Sequence, residues 1–373
     1  MTTYDSVVLY RANVCDGQGT AKGMDLALTH DGNIKETQEF PTWGSNRARD
    51  ALFTWAGKLP YYTEVSELAG VARCRESGTQ CQINRRQMLL LQALDPDVKF
   101  YYTYSDVEVP TPELAGNGVY YDDTEAKLTV PVDEDSLVVV LYNASPNPEH
   151  NSRIFNLKVK VNGSLTSVYS RMWMNRAEPN WIPFLYTFEA SPGTYEIQGA
   201  FAVDNGGVVT SIKKRWLIAM VFPLSLKFDY WYLNDSAAFE VCHCGSGSYS
   251  GTCTCEGSIW ETTFKPSATS DTIILSTAVN YGGGDPSRVD IHYFIWKLYI
   301  DGSNIGVTNA TSSIYTDPGY NYAITGTMLY ATTLDPTDHS IKFRCYMHAY
   351  YSYALAYLYC GSRQAVILAF HKE

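Results

Sequence analysis

Apolar and polar residues alternate with a period of two through the carboxy-terminal two thirds of the chain. In LKVKVNGS, Leu157, Val159 and Val161 share one face, and in WKLYIDGS, Leu298 and Ile300 do the same, the pattern of a half-buried β-strand. Both runs close on Asn-Gly-Ser or Asp-Gly-Ser, residues that favour a tight hairpin turn. Further matches follow in the same order. SLVVVLYNA from Ser136 answers to TIILSTAVN from Thr272, 136 residues on, and the two hairpins lie 139 apart. SPGTYEIQGAF from Ser191 answers to DPTDHSIKFRC with Ile197 on Ile341, 144 apart, and WLIAMVF answers to AVILAF with Phe222 on Phe370, 148 apart. A slowly growing offset is what lengthening loops in a duplicated unit produce. The alternative is that any two β domains share such turns. The pattern predicts two tandem antiparallel β-sandwiches, jelly-roll-like or immunoglobulin-like, over 126–223 and 271–373.

Residues 1–125 read as an α+β assembly domain. GSNRARDALFTWAG offers Ser45 as an N-cap before helix formers, INRRQMLLLQAL has the length and residue types of a second helix, and DPDVKFYYTYSDVEV and KLTVPV alternate as strands. The predicted fold class is therefore mainly β and multidomain, with an N-terminal α+β domain ahead of the sandwiches.

Between the sandwiches, 224–270 forms a linker in which FEVCHCGSGSYSGTCTCEGSIWETTF reads as a β-hairpin. Cys242, Cys244, Cys253 and Cys255 then share one face, with His243 on the other. Three states fit this spacing: a zinc site, two cross-strand disulfides (Cys242 to Cys255 and Cys244 to Cys253), or free thiols.

Composition narrows the classes of partner. The chain has 373 residues, a net charge of -11 and no Lys/Arg cluster larger than Lys213, Lys214 and Arg215, which argues against nucleic acid as principal partner. The start lacks a basic region followed by a long apolar one, and WLIAMVFPLSL is too short to span a bilayer. Cytoplasmic synthesis without a signal peptide and without a membrane partner is expected. The 9 cysteines cannot all pair within one chain, as suits a particle assembled inside a cell and later exposed outside. The low charge, 18%, and the 29 tyrosines favour surfaces that become covered.

Catalytic signatures are absent: there is no phosphate loop, HExxH, GxSxG elbow or EF-hand loop. Asp133, Glu134 and Asp135 suit a solvated turn better than a cation site. No pair among the seven histidines has the spacing of zinc ligands on a helix. YMHAYYSYALAYLYC, Tyr346 to Cys360, offers either a sugar-stacking platform or, preferably, interface anchors. The expected protein is not an enzyme.

In the first 125 residues, MDLALTHDGNI, ARDALFTWAGKLPYYTEVSELAG and RRQMLLLQALDPDVKFYYTYSDVEV together resemble the small baseplate-wedge family of phage tails. Leu52, Thr54 and Gly57 fit that family's Leu-x-Thr-x-x-Gly-Glu stretch, and Lys58 departs from it. The resemblance implies a lysozyme-like fold without lysozyme activity and an assembly role. The rest of the chain resembles tandem β-sandwich virion proteins. The resulting expectation is a virion protein, a baseplate component that contacts other virion subunits and copies of itself. A capsid turret or spike is the second reading, and a carbohydrate-binding sandwich protein, with a glycan as ligand, the third.

Overall fold

The computed structural model describes residues 3–18, 24–40, 48–61, 68–74, 80–110, 119–148, 153–174, 181–204, 210–235, 237, 239–244, 251–283, 289–305, 310–312, 323–351 and 356–372. Every regular element among them is a strand. The amino-terminal module holds β1 (Thr3–Gln18), β2 (Met24–His30), β3 (Asn33–Phe40), β4 (Ala48–Pro60), β5 (Leu68–Cys74) and β6 (Gln80–Gln92). Both predicted helices are thus corrected to strands. β4 and β6 pair antiparallel with the two sides of β1 along most of its length. Residues 52–57 are all buried, and a short apolar run enclosed on both faces has no periodicity to separate strand from helix. Tertiary pairing then overrides helix propensity. Ser45 lies outside the described residues. The lysozyme-like α+β fold implied by the wedge resemblance falls with these helices.

The first sandwich consists of β7 (Lys99–Ser105), β8 (Val109–Pro110), β9 (Tyr121–Val132), β10 (Ser136–Pro148), β11 (Arg153–Val161), β12 (Ser164–Leu165), β13 (Ser170–Met174), β14 (Ile182–Ala190), β15 (Gly193–Asp204) and β16 (Thr210–Pro223). The second consists of β17 (Phe228–Asp235), β18 (Phe239–Cys244), β19 (Gly251–Phe264), β20 (Ser270–Gly283), β21 (Val289–Ile300), β22 (Ser303–Asn304), β23 (Ala310–Ser312), β24 (Ala323–Leu334), β25 (His339–Tyr351) and β26 (Ala356–His371). Their sheets have one topology shifted by ten strands. An inner sheet runs β14-β10-β16-β7 in the first and β24-β20-β26-β17 in the second; an outer sheet runs β12-β11-β15-β9 and β22-β21-β25-β19. The sandwiches consequently begin earlier than predicted, at Lys99 and Phe228, and most of 224–270 is not a linker but three strands of the second sandwich.

Burial explains why the two kinds of sheet read differently in sequence. On β10 and β16, Val138, Val140, Leu217 and Ala219 face the outer sheet in one core, while Leu137, Val139, Leu141, Ile218 and Met220 face outward into another, central core. A sheet enclosed on both faces gives a continuous apolar run. β9 of the outer sheet instead alternates, with Ala126, Leu128, Val130 and Val132 buried between exposed neighbours. Each aliphatic side chain so buried contributes about 1.5–3 kcal/mol relative to exposure.

Register confirms the duplication. Asn162 and Asp301 have φ of 49° and 51°, and the glycines after them, Gly163 and Gly302, 79° and 77°, the left-handed pair that a two-residue hairpin turn needs. Asn162 Oδ1 accepts from the Glu196 amide, and Asp301 Oδ1 accepts from the Ser340 amide, both at 2.8 Å. Val161 pairs with Ile197 as Ile300 pairs with Ile341, and Leu137 with Phe222 as Asp271 with Phe370. Three of the four sequence matches are therefore in register. The fourth is corrected: Ser136 corresponds to Ser270, not Thr272, because Ser136 pairs with Pro223 and Ser270 with His371, next to the Phe222 and Phe370 pairs. A two-residue slip keeps every side chain on its face, so periodicity cannot detect it.

The amino-terminal module is a third, shorter copy. Its Asp31-Gly32 turn has φ of 51° and 71°. β1 pairs with β4 and β6, as β10 does with β14 and β16; β2 pairs with β3 and β5, as β11 does with β12 and β15. Ala12 opposes Arg86, Ala144 opposes Arg215 and Ala278 opposes Arg363, each within one pair of a break in register. Counterparts of β7, β8 and β9 are missing from this module among the described residues.

The three modules close a ring around the central core. β14 of the first sandwich packs on β26 of the second, β24 of the second on β6 of the amino-terminal module, and β4 of that module on β16 of the first. Equivalent strands meet at each joint. Polar contacts follow the same cycle from corresponding positions on β1, β10 and β20. Arg11 Nη1 donates to Met328 Sδ at 3.9 Å, and Asn143 Nδ2 to the Leu52 carbonyl at 3.2 Å. Thr277 Oγ1 donates to Gln364 Oε1 at 3.1 Å, an atom that also accepts the Leu185 amide at 3.3 Å.

Candidate assembly interface

The first sandwich carries a buried polar network where its two sheets meet. Arg215, Asp123 and Tyr142 are all fully buried. Arg215 Nε and Nη2 donate to Asp123 Oδ1 at 3.1 and 3.0 Å, and the Tyr142 hydroxyl donates to Oδ2 at 2.7 Å. Burial first, and then the Asp123 carboxylate, push the Tyr142 hydroxyl well above its ordinary pKa, so it remains a donor. β9 supplies the carboxylate, and β10 and β16 supply its two partners. The ring of Tyr142 lies over Gly199, where a Cβ would come within 2.6 Å of it. Glycine at 199 is therefore a packing requirement.

Tyr10 and Gly70 repeat this arrangement in the amino-terminal module, again with 2.6 Å between a built Cβ and the ring. The second sandwich reverses the sizes: Ser276 stands at the tyrosine position and Phe343 at the glycine position. Trp260 covers the serine, donating from Nε1 to Ser276 Oγ at 3.2 Å, with its ring 5.9 Å from that of Phe343.

The residues singled out from sequence are scattered. Cys242 and Cys255 are joined by a disulfide with Cα atoms 5.9 Å apart. They do not form the predicted hairpin, because β18 pairs with β26 of the inner sheet and β19 with β25 of the outer sheet; the bond ties the two sheets together. The side chains of Cys244 and Cys253 lie outside the described residues, as do most of those in the tyrosine tract, Tyr346 and Cys360 excepted. Cys345 and Cys360 are buried free thiols; burial pushes the first well up and the second to about 12, which makes both poor nucleophiles. Asp133 and Glu134 line a shallow surface depression with Asp97 and Lys99, at the turn between β9 and β10. His243 is exposed beside Glu240. His339 is held between Asp301 and Asp335, with Nδ1 2.7 Å from Asp301 Oδ2.

Sequence reasoning missed the open side of the amino-terminal module. β5 and β6 each have a single sheet neighbour among the described residues, whereas β15 and β16 have further strands on their far sides. Val71 is 41% exposed where its counterpart Ala200 is fully buried, and Met88 is 37% exposed where Leu217 is fully buried. The kinship of this module with the first sandwich is legible in VVLYRA, Val7 to Ala12, against VVLYNA, Val139 to Ala144, but its open side is not. Among the described residues β5 and β6 are therefore edge strands with apolar side chains beside them, and an open edge of this kind is able to pair with an added strand.

No protein-family model matches the chain, and no curated protein does. Among solved structures it is similar to PNGF-II, at 9% identity over 98% of this chain and 99% of that one, with a TM-score of 0.29. It is also similar to a chain of infectious bursal virus derived T=1 particles, at 7% identity over 100% of this chain and 65% of that one, with a TM-score of 0.26. A third is the triple jelly roll fold and turret assembly of an archaeal virus, at 7% identity over 98% and 80%, with a TM-score of 0.18. At these values the architecture rests on the strand order and register given above.

Proposed function

We propose that the chain is a structural subunit of a virus particle, a component of its shell or turret, whose partners are copies of itself and other particle subunits and which turns over no substrate. The ring of three related sandwich modules supports this reading. Closed shells are built from rigid blocks related by rotation, and a single chain that presents three similar modules around one core supplies such a block. The tail-baseplate alternative loses its basis once the amino-terminal helices are replaced by strands.

Assembly of the purified full-length chain tests the proposal. Sedimentation and electron microscopy across ionic strength and pH are expected to show concentration-dependent closed particles or regular arrays. A chain that stays monomeric under all conditions and releases or binds glycans from an array would overturn it.

A further inference from the structure

The amino-terminal module reproduces one half of the polar network of the first sandwich and lacks the other. Tyr10 occupies the place of Tyr142, packed over Gly70 as Tyr142 is over Gly199, and Arg86 opposes Ala12 as Arg215 opposes Ala144. In the first sandwich both groups bind Asp123, which β9 places opposite Gly199, between the Gln198–Lys127 and Ala200–Asp122 pairs. No strand occupies that place beside β5 among the described residues. Tyr10 is 2% exposed, and its hydroxyl is buried without a hydrogen-bond partner. A buried unpaired hydroxyl is costly and rare. Arg86, near enough to lower the pKa of Tyr10 against the larger rise due to burial, is exposed.

We propose that the open side of β5 and β6 is an acceptor for an extended strand from another polypeptide, carrying one carboxylate opposite Gly70 that accepts hydrogen bonds from Tyr10 and Arg86. The incoming strand runs antiparallel to β5, as β9 does to β15, and presents apolar side chains at alternate positions toward the space between the sheets. It covers Val71, whose counterpart Ala200 is fully buried. One exposed charge and one buried, unsatisfied hydroxyl select the chemistry. Arg86 asks for negative charge, the Tyr10 hydroxyl for an acceptor, and the backbone of β5 for a strand. This deepens the particle reading by naming the kind of neighbour the subunit recruits.

The test uses the purified full chain and, as probe, a labelled peptide of residues 119–132, the strand that fills the equivalent place in the first sandwich. One peptide is expected to bind per chain, with slowed amide exchange over Ala69–Arg73. Replacing Asp123 by Asn in the peptide is expected to weaken binding about tenfold, or 1.4 kcal/mol. In a Tyr10→Phe chain, which keeps the ring and so the packing over Gly70, that penalty shrinks, the coupling expected of directly interacting groups. Absence of binding, equal affinity of the two peptides, or an undiminished penalty in Tyr10→Phe would each overturn the proposal. No particle enters the assay, so the peptide result and the assembly result can fail separately.

Discussion

The two complete sandwiches share strand order, turns and register, yet fill the same position between their sheets with opposite chemistry. In the first, Tyr142 and Arg215 enclose the Asp123 carboxylate. In the second, Ser276 and Phe343 sit under Trp260, and Arg363 reaches Asp235 at a partly exposed site. Topology requires that the volume be filled and that polar atoms be paired. It leaves open which residues do so.

Removing Asp123 is the sharpest way to break this comparison. Asp123→Ala leaves Arg215 charged and buried, and such losses cost about 3–5 kcal/mol; Asp235→Ala, at a solvent-screened pair, is expected to cost about 0–1 kcal/mol. Urea unfolding of the two variants measures the gap, and equal midpoints would show that the first network contributes no more than a surface pair.

The disulfide is the next largest difference, since the Cys242–Cys255 bond has no counterpart in the first sandwich. Its 13-residue separation corresponds to about 3 kcal/mol of chain-entropy stabilisation. Reduction should therefore lower the unfolding midpoint of the second sandwich selectively, as read by hydrogen exchange. Metal analysis of the reduced protein in the same experiment determines whether Cys242, Cys244, Cys253 and Cys255 take up zinc.

Gly199→Ala should follow at about 1–3 kcal/mol of overpacking against the Tyr142 ring. The effect is expected to shrink when Tyr142 is replaced by Ser, the residue present at 276, leaving only the tight contact with the Ala126 Cβ at 3.0 Å. Thermal melts of the single and double variants check this.

The smallest effect is expected from pH. His339 sits where the first sandwich has Tyr195; His339 contacts the Asp335 carbonyl, and Tyr195 contacts that of Ser191, each four residues back. Burial opposes charge on His339, but hydrogen bonds to Asp301 and Asp335 and the two carboxylate charges outweigh it, so its pKa lies above the ordinary 6.5. The group therefore stabilises fully below 6.5 and loses its contribution as pH rises through the raised folded value. Asp301 and Asp335 are held below the ordinary 3.8, so their contribution fades only as pH falls below that value. Stability of the second sandwich should thus decline on the alkaline side of 6.5, and His339→Tyr should flatten the decline. A wild-type profile as flat as that of the variant would exclude this linkage.

Local chemistry specifies part of this molecule outright. Asn162-Gly163 and Asp301-Gly302 take up left-handed backbone, which few other residue pairs adopt easily, so the two hairpins and their 139-residue spacing are legible in the amino-acid order alone. Alternation on β9 and β11 likewise announces a one-sided core. Long-range pairing settles the rest. Whether ALFTWAG and MLLLQ become strand or helix depends on β1 lying between them: the first is buried on both faces and carries no period, and the second is a short apolar run too brief to separate the two. The sheet that receives each half of the Cys242–Cys255 pair depends on pairing with β26 and β25. That Tyr10 and Arg86 form half of a site can be seen only beside the completed Tyr142–Asp123–Arg215 network. The partners of that network lie 19 and 92 residues apart, and no local pattern encodes a contact that pairing across two sheets creates.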